Sequence, residues 1–324
     1  MRPAVLLSEP IHPDGRRLLE ERAAVTVAAS VDSAALLEHA DRVDAVILRA
    51  RGRLDRDFFR QAPRLKVVGR YGVGVDNIDL DAAAEHAVTV VNTAGLNAQS
   101  VAEHAVAMMF ALARRLHRQD RAVRDRDWSA RDALGGSELA GATVGVIGFG
   151  AIGRAVAAIC HLGLGMRVLY HDPFRVTGAD DGLAASPVSL DDLLRDSDVV
   201  TVHVPLTPRT RHLIGAARLR AMRPHALLVN VSRGDVVDED ALAAALADGT
   251  IAGAGLDVFA QEPPAASAPI LSAPNTVLTP HSAALTEEAA RRMSVGVATD
   301  VLAVLGGGPA ARPVPHPTTT GSAT

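Results

Sequence analysis

Residues 143–160 read TVGVIGFGAIGRAVAAIC, and their pattern decides the fold class. The apolar run TVGVIGF is short, rich in β-branched residues and closed by glycine, which reads as a buried strand. Gly148, Gly150 and Gly153 follow at G-x-G-x-x-G spacing, and RAVAAIC continues directly as a helix. Gly148 permits a tight turn, Gly150 lets the backbone approach a pyrophosphate, and Gly153 lets helix and strand pack closely. The helix N-terminus, with Ala151, Ile152 and Arg154 in its opening turn, presents unpaired N–H groups that suit phosphate oxygens. The next strand-like run, MRVLYHD, ends in Asp172, roughly 20 residues beyond the glycines, where a carboxylate can hold ribose hydroxyls. A glycine triplet alone would fit any structural turn; the three parts together predict a dinucleotide site. Asp172 would repel a 2′-phosphate, so NAD is favoured over NADP, with Arg175 near enough to soften that preference.

Outward from this segment the same alternation recurs. Before it, PAVLLSE, AVTVAA, DAVILRA, KVVGRYG and VTVVNTAG read as strands, separated by the helical runs DGRRLLEER, SAALLEHA, DRDFFRQAP and DLDAAAEHA. Strands alternating with helices imply parallel sheets covered on both faces, so the fold class is α/β with two Rossmann-like domains. Ligands of such sheets gather at the carboxyl ends of strands, which singles out Arg49, Arg51, and residues 70–74 and 92–97. Residues 98–124 read as one long helix whose stretch AVAMMFALA is apolar nearly all round and therefore buried. EEAARRMSVGVATDVLAVL reads as a closing helix, and the Gly-, Pro- and Thr-rich residues 306–324 as a disordered tail. Two α/β units predict an active site in a cleft between domains.

Composition excludes several function classes. The 324 residues are 48% hydrophobic and 22% charged with a net charge of −4, which argues against nucleic acid or an anionic membrane as partner. No apolar run reaches the roughly 20 residues of a membrane span and the N-terminus lacks a signal-peptide layout, so a cytoplasmic protein is expected. Cys160 is the only cysteine, which leaves no internal disulfide, and no His/Cys/Asp set suggests a metal. Lys66 is the only lysine, so Schiff-base chemistry would rest on that one residue ahead of VVGRY.

Three later segments carry chemistry at strand ends. LLVNVSRGDVVDEDAL places Arg233, AGAGLDVFAQEPP places Asp257 and Glu262, and VLTPHSAA places His281. An imidazole, with a reference pKa near 6.5, can give or take a proton at neutral pH, and a neighbouring carboxylate favours its charged form. A guanidinium can bind a carboxylate and polarise a carbonyl. Each residue alone also fits a bland role: a solvated turn glutamate, a loop histidine, a surface arginine.

With these motifs, and with GRYGVGVDNIDL, NAQSVAEHAVAMM and VTVHVPLTPRTRHLIG, the chain resembles the D-isomer-specific 2-hydroxyacid dehydrogenases over residues 5–305. That family includes phosphoglycerate dehydrogenases and glyoxylate/hydroxypyruvate reductases. The resemblance implies a discontinuous substrate domain at 1–98 plus 285–305, an NAD-binding domain at 99–284, and a homodimer built on the long helix. It implies a small 2-hydroxy or 2-oxo acid as substrate, with His281 as general acid/base, Glu262 beside it and Arg233 on the substrate carboxylate. NAD contacts are implied for Val204, Val231, Ser232, Asp257 (at the carboxamide) and Ala283, beside the glycine loop and Asp172. Backbone N–H groups of Gly72, Val73 and Gly74 are implied to bind a carboxylate.

Arg49, Arg51 and Arg70 raise the hypothesis of a second anionic group on the substrate, as in the phosphoglycerate enzymes. Tyr71 narrows the pocket or offers a hydroxyl, and no regulatory domain is expected after the tail. A formate-type enzyme is disfavoured, because that type carries glutamine where this chain has Glu262. The alternative from another class is an NAD(H)-sensing binding protein, since C-terminal binding proteins retain an Arg–Glu–His set. His104, His117 and His161 are expected on helix surfaces or in the core.

Overall fold

Runs of valine, leucine and isoleucine set the strands, and glycines set where helices can lie on them. The computed structural model describes residues 2–49, 51–133, 135–174 and 182–315; Arg175 and residues 316–324 of the tail lie outside the described residues. The chain forms two units, Met1–Asn97 with Leu285–Thr324, and Ala98–Ala284.

In the first unit, β1 (Ala4–Leu7), β2 (Ala24–Val27), β3 (Ala45–Leu48), β4 (Val67–Arg70) and β5 (Thr89–Val91) form a parallel sheet of order β2-β1-β3-β4-β5. Every residue of the central β3 is buried, whereas the edge strand β2 alternates exposed and half-buried positions. Burying each such Val, Leu or Ile contributes about 1.5–3 kcal/mol, which is why a run of four suffices for a strand covered on both faces. On one face lies the helix Glu287–Leu305, held close by Gly69: a Cβ there would stand 2.6 Å from Val297 Cγ2 and 2.8 Å from Val301 Cγ2. Another cluster of side chains in the unit is built on Leu36, Phe58, Phe59 and Ala82.

The tail departs from the disorder its composition predicts. Pro313 bridges Val91 in antiparallel fashion, Val314 N–H donates to Val90 at 2.8 Å, and Arg312 pairs with the buried Asp300 at 3.1 Å. Glycine and proline content signals disorder only where nothing pays the ordering entropy. Here a sheet edge and a buried carboxylate do so through residue 314, and proline is tolerated at that edge.

In the second unit, β6 (Thr143–Ile147), β7 (Arg167–His171), β8 (Ser186–Pro187), β9 (Val199–Val202), β10 (Leu227–Asn230), β11 (Gly253–Leu256) and β12 (Thr276–Leu278) are all parallel, in the order β12-β11-β10-β9-β6-β7-β8. The order runs one way through β7 and β8 and the other way from β9, so the switch point lies between β6 and β9, where ligands of open sheets bind. The single helix expected over 98–124 is two, Ala98–Ala113 and Leu116–Arg124. Arg115 between them is left-handed at φ 52°, and the Gln119 side chain donates to the freed carbonyl of Arg114 at 2.8 Å. The first helix is largely buried and the second has no buried residue, so the break coincides with loss of the core contact that would carry a straight helix onward.

Candidate active site

The glycine loop has the geometry that the motif requires. Gly148 sits at φ 89°, a conformation that costs other residues energy, and Gly148 N–H donates to the His171 carbonyl at 2.9 Å. A Cβ on Gly153 would lie 2.1 Å from the Gly148 carbonyl oxygen, so only glycine lets the helix Ala151–Ala158 start against its own turn. Around Gly150 there is open space where a Cβ would point, and no side chain caps the helix start. Ala151, Ile152 and Arg154 form its first turn. The N–H groups of Ala151 and Ile152, with no side chain over them, fit a pyrophosphate, whereas that of Arg154 already donates to the Gly150 carbonyl at 3.0 Å. Asp172 directly follows β7 beside this turn, accepting from Phe149 N–H at 2.9 Å and from Phe174 N–H at 3.0 Å. Val204 follows β9, and Val231 and Ser232 follow β10, along the same carboxyl edge.

Arg233, Glu262 and His281 come from three different loops of this edge. Asn230 organises the first: its side chain donates to the Arg233 carbonyl at 2.9 Å and accepts from Ser232 N–H at 3.0 Å. The Arg233 guanidinium donates to the Ser232 carbonyl at 2.6 Å. Glu262 accepts from Phe259 N–H at 3.2 Å through Oε1 and from His281 Nδ1 at 2.7 Å through Oε2. His281 is left-handed at φ 52°, and its N–H is held by the carbonyls of Asp257 at 2.7 Å and Thr279 at 3.1 Å. A histidine in that region is strained, and the surrounding bonds impose it. Burial works to raise the Glu262 carboxyl pKa. The hydrogen bond and charge of His281, the Phe259 N–H and the Arg233 guanidinium outweigh it and hold the group below the usual carboxylate range. The imidazole is half-exposed, at 47% of its side chain, beside a cavity of about 380 Å³ lined by Phe259, Pro263, Pro264 and Leu278.

Asp257, expected at the nicotinamide carboxamide, follows β11 on the same carboxyl edge. Its carboxylate is 1% exposed and accepts from Thr279 Oγ1 at 2.6 Å, Ser282 N–H at 2.8 Å and Ala283 N–H at 2.9 Å. It therefore shapes the loop that carries His281, and its oxygens are engaged inside the protein. His104, read from sequence as a surface or core residue, lies against this group, with Nε2 3.0 Å from Thr279 Oγ1 and 3.6 Å from Asp257 Oδ1. His203 was also missed. Its Nε2 is 2.9 Å from Thr201 Oγ1, its Nδ1 is buried with no partner among the described residues, and burial pushes the imidazole down to about 3. Cys160 is buried and its thiol is pushed up to about 12, so it has no nucleophilic role.

In the first unit the expected substrate residues lie at the carboxyl ends of β3 and β4, and their arginines donate to groups of the same unit. Arg49 donates to the Pro10 carbonyl at 2.8 Å and lies over the Tyr71 ring, 5.1 Å from its centroid. Arg70 donates to the Tyr71 carbonyl. The Tyr71 hydroxyl donates to the Ala290 carbonyl at 3.0 Å. Gly72, at φ 145°, and Val73 give their carbonyls to Thr93 N–H and the Asn92 side chain, at 3.0 and 2.9 Å, and Gly74 follows. Arg51 is committed to Glu9, a residue the sequence did not single out.

Residues 106–283 match the sequence model of the D-isomer specific 2-hydroxyacid dehydrogenase, NAD binding domain. The glyoxylate reductase of Pyrococcus furiosus is 39% identical over 312 residues, covering 94% of this chain and 92% of that one. The chain belongs to the D-isomer specific 2-hydroxyacid dehydrogenase family. The D-3-phosphoglycerate dehydrogenase of Archaeoglobus fulgidus is also 39% identical, over 92% of this chain, but the chain spans only 56% of that relative's length. Among solved structures, D-lactate dehydrogenase from Aquifex aeolicus, complexed with NAD and lactic acid, superposes with a TM-score of 0.84 at 30% identity, covering 94% of this chain and 96% of that one. Family membership accounts for the two parallel-sheet units. Among the described residues, no helix is long and apolar enough to cross a membrane.

Proposed function

We propose that this chain is an NAD-dependent D-2-hydroxyacid dehydrogenase, working as a 2-oxo acid reductase. The observation that carries the reading is the 2.7 Å bond between Glu262 and His281, on the carboxyl edge that also carries the glycine cradle. The cradle at Gly148, Gly150 and Gly153 would hold the pyrophosphate, and Asp172 the adenosine ribose, which favours NAD over NADP. When bound, the nicotinamide exchanges a hydride with the substrate carbon. The chain's own residues handle charge and the proton. Arg233 binds the substrate carboxylate and polarises the carbonyl, the kind of electrostatic assistance that is worth about 3–4 kcal/mol. Glu262, as a carboxylate, accepts a hydrogen bond from Nδ1–H of His281 and favours its imidazolium form, which leaves Nε2–H to give its proton to the carbonyl oxygen on reduction and Nε2 to take it back on oxidation. Glu262 can keep this role into acid, because its carboxylate persists below the usual range. The Gly72–Val73–Gly74 turn would contribute backbone N–H groups to the substrate carboxylate, in the unit that recognises the acid. Leu116, Val123 and Trp128, exposed at 50%, 59% and 72%, support a homodimer through the segment after the first long helix.

NADH oxidation by the purified chain, followed at 340 nm with glyoxylate, hydroxypyruvate, pyruvate and phenylpyruvate, tests the reading. Turnover of at least one acid at a kcat of roughly 1 s⁻¹ or more supports it. Tight NADH binding with no turnover of any acid would overturn it and favour a cofactor-sensing protein.

A further inference from the structure

The edge of the five-stranded sheet carries a charge arrangement that bears on substrate choice, an inference that rests on the reductase reading. Ser8 N–H pairs with the Ile47 carbonyl, and Tyr71 N–H with that of Leu48, both at 2.9 Å. These bonds keep the strand ends in register and bring Glu9, Arg49, Arg51 and Arg70 to one edge. Arg51 donates to a single oxygen of Glu9, from Nε at 3.0 Å and Nη2 at 2.5 Å. The other oxygen, Oε2, is buried and has no hydrogen-bond partner among the described residues. The two partners differ sharply in exposure: 10% for the Glu9 side chain and 74% for that of Arg51.

This asymmetry gives the pair a direction. Glu9 is buried, and no other donor reaches it among the described residues, so releasing Arg51 would leave an uncompensated buried charge. Arg51 is exposed, and water would solvate it if Glu9 were gone. The carboxylate therefore tethers the guanidinium rather than the reverse. An anionic substrate tail arriving at this edge has to compete with Glu9 for Arg51 and also faces the Glu9 charge. A neutral, hydroxylated tail meets neither penalty. Specificity of this kind comes from a repulsive element against the wrong ligand, not only from contacts to the right one.

We propose that Glu9 is a specificity-determining residue: by tethering and neutralising Arg51 at the carboxyl edge of the five-stranded sheet, it selects 2-oxo acids with uncharged tails over those with anionic tails. The test compares kcat/KM for hydroxypyruvate and phosphohydroxypyruvate in the native protein, in Glu9→Gln and in Glu9→Gln/Arg51→Ala, with thermal melting as a check on folding. Glu9→Gln is nearly isosteric and should fold. It is expected to raise the ratio of phosphohydroxypyruvate to hydroxypyruvate at least tenfold, chiefly through a lower KM, and the double variant should lose that gain. A ratio within twofold of native in Glu9→Gln, or a gain that survives removal of Arg51, would overturn the inference. No turnover of either acid by the native protein, nor of any acid in the wider panel, would instead overturn the reductase reading and the inference with it. A Glu9→Gln chain that melts early can be replaced by Arg51→Ala alone, for which the ratio should stay within threefold of native; a tenfold fall would show that Arg51 already serves anionic tails and would also overturn the inference.

Discussion

At the carboxyl edge of the seven-stranded sheet, His281 leans on one carboxylate and leaves 47% of its side chain exposed, with Nδ1 engaged. At the corresponding edge of the five-stranded sheet, Arg49, Arg51 and Arg70 donate to Pro10, Glu9 and Tyr71. Both edges follow the rule that parallel sheets present functional residues beyond their strand ends. They differ in what the partners do. In the proposed roles, Glu262 orients its histidine and leaves the other ring nitrogen for proton transfer, whereas Glu9 neutralises its arginine. Position in the fold thus nominates a residue, and the partner decides whether it acts or is held.

The largest expected effect separates the two edges directly. Arg233→Ala should lower kcat/KM for hydroxypyruvate by about 10³-fold, roughly 4 kcal/mol of transition-state stabilisation. Arg51→Ala should cost less than tenfold with the same acid. Steady-state kinetics on both variants would break the comparison if the two losses were equal.

A smaller contrast uses one glycine from each unit. Gly153→Ala places its Cβ 2.1 Å from the Gly148 carbonyl, and that backbone can relieve the clash only by moving the cradle. NADH affinity, read by fluorescence titration, should fall at least tenfold. Gly69→Ala instead meets the side chains of Val297 and Val301 at 2.6 and 2.8 Å. It should lose about 1–3 kcal/mol of stability through overpacking while NADH affinity stays within twofold.

These contrasts also show what the sequence could reveal. The glycine cradle, the alternation of strands and helices, and the order Arg233, Glu262, His281 lie in local patterns, where one short segment carries its own reason. Glu9 was invisible because its partner is 42 residues away and meets it only once β1 and β3 lie side by side. His104 met Thr279 across 175 residues for the same reason, and no periodicity reports such a meeting. The break at Arg115 was hidden by good helix formers on both sides, and the ordering of residues 306–315 by a composition that says nothing about an available sheet edge.

Asp172→Ser sharpens the cofactor half of the account. With the carboxylate gone, the preference for NADH over NADPH in kcat/KM should narrow by about tenfold, because a 2′-phosphate no longer meets a like charge. An unchanged preference would place the discrimination elsewhere.

His203 gives the smallest effect and a pH-dependent one. Its pKa in the fold, about 3, lies below the reference value of 6.5. The unfolded chain therefore takes up a proton in this window that the fold refuses, so stability is full above pH 6.5 and is lost as pH falls toward 3. His203→Gln should remove roughly 1–2 kcal/mol of the difference in unfolding free energy between pH 7 and pH 5. Urea melts at the two pH values measure it, and an unchanged difference would mean that His203 accepts a proton without cost.

The most direct test of the central claim is the rate of NADH oxidation by His281→Asn at pH 7, with saturating hydroxypyruvate or whichever acid the native protein prefers. Asparagine keeps a polar side chain and tolerates the left-handed backbone at this position, but it cannot donate the proton. A fall of about 10³-fold with NADH affinity intact is the predicted result, and a rate within tenfold of the native protein would contradict the account.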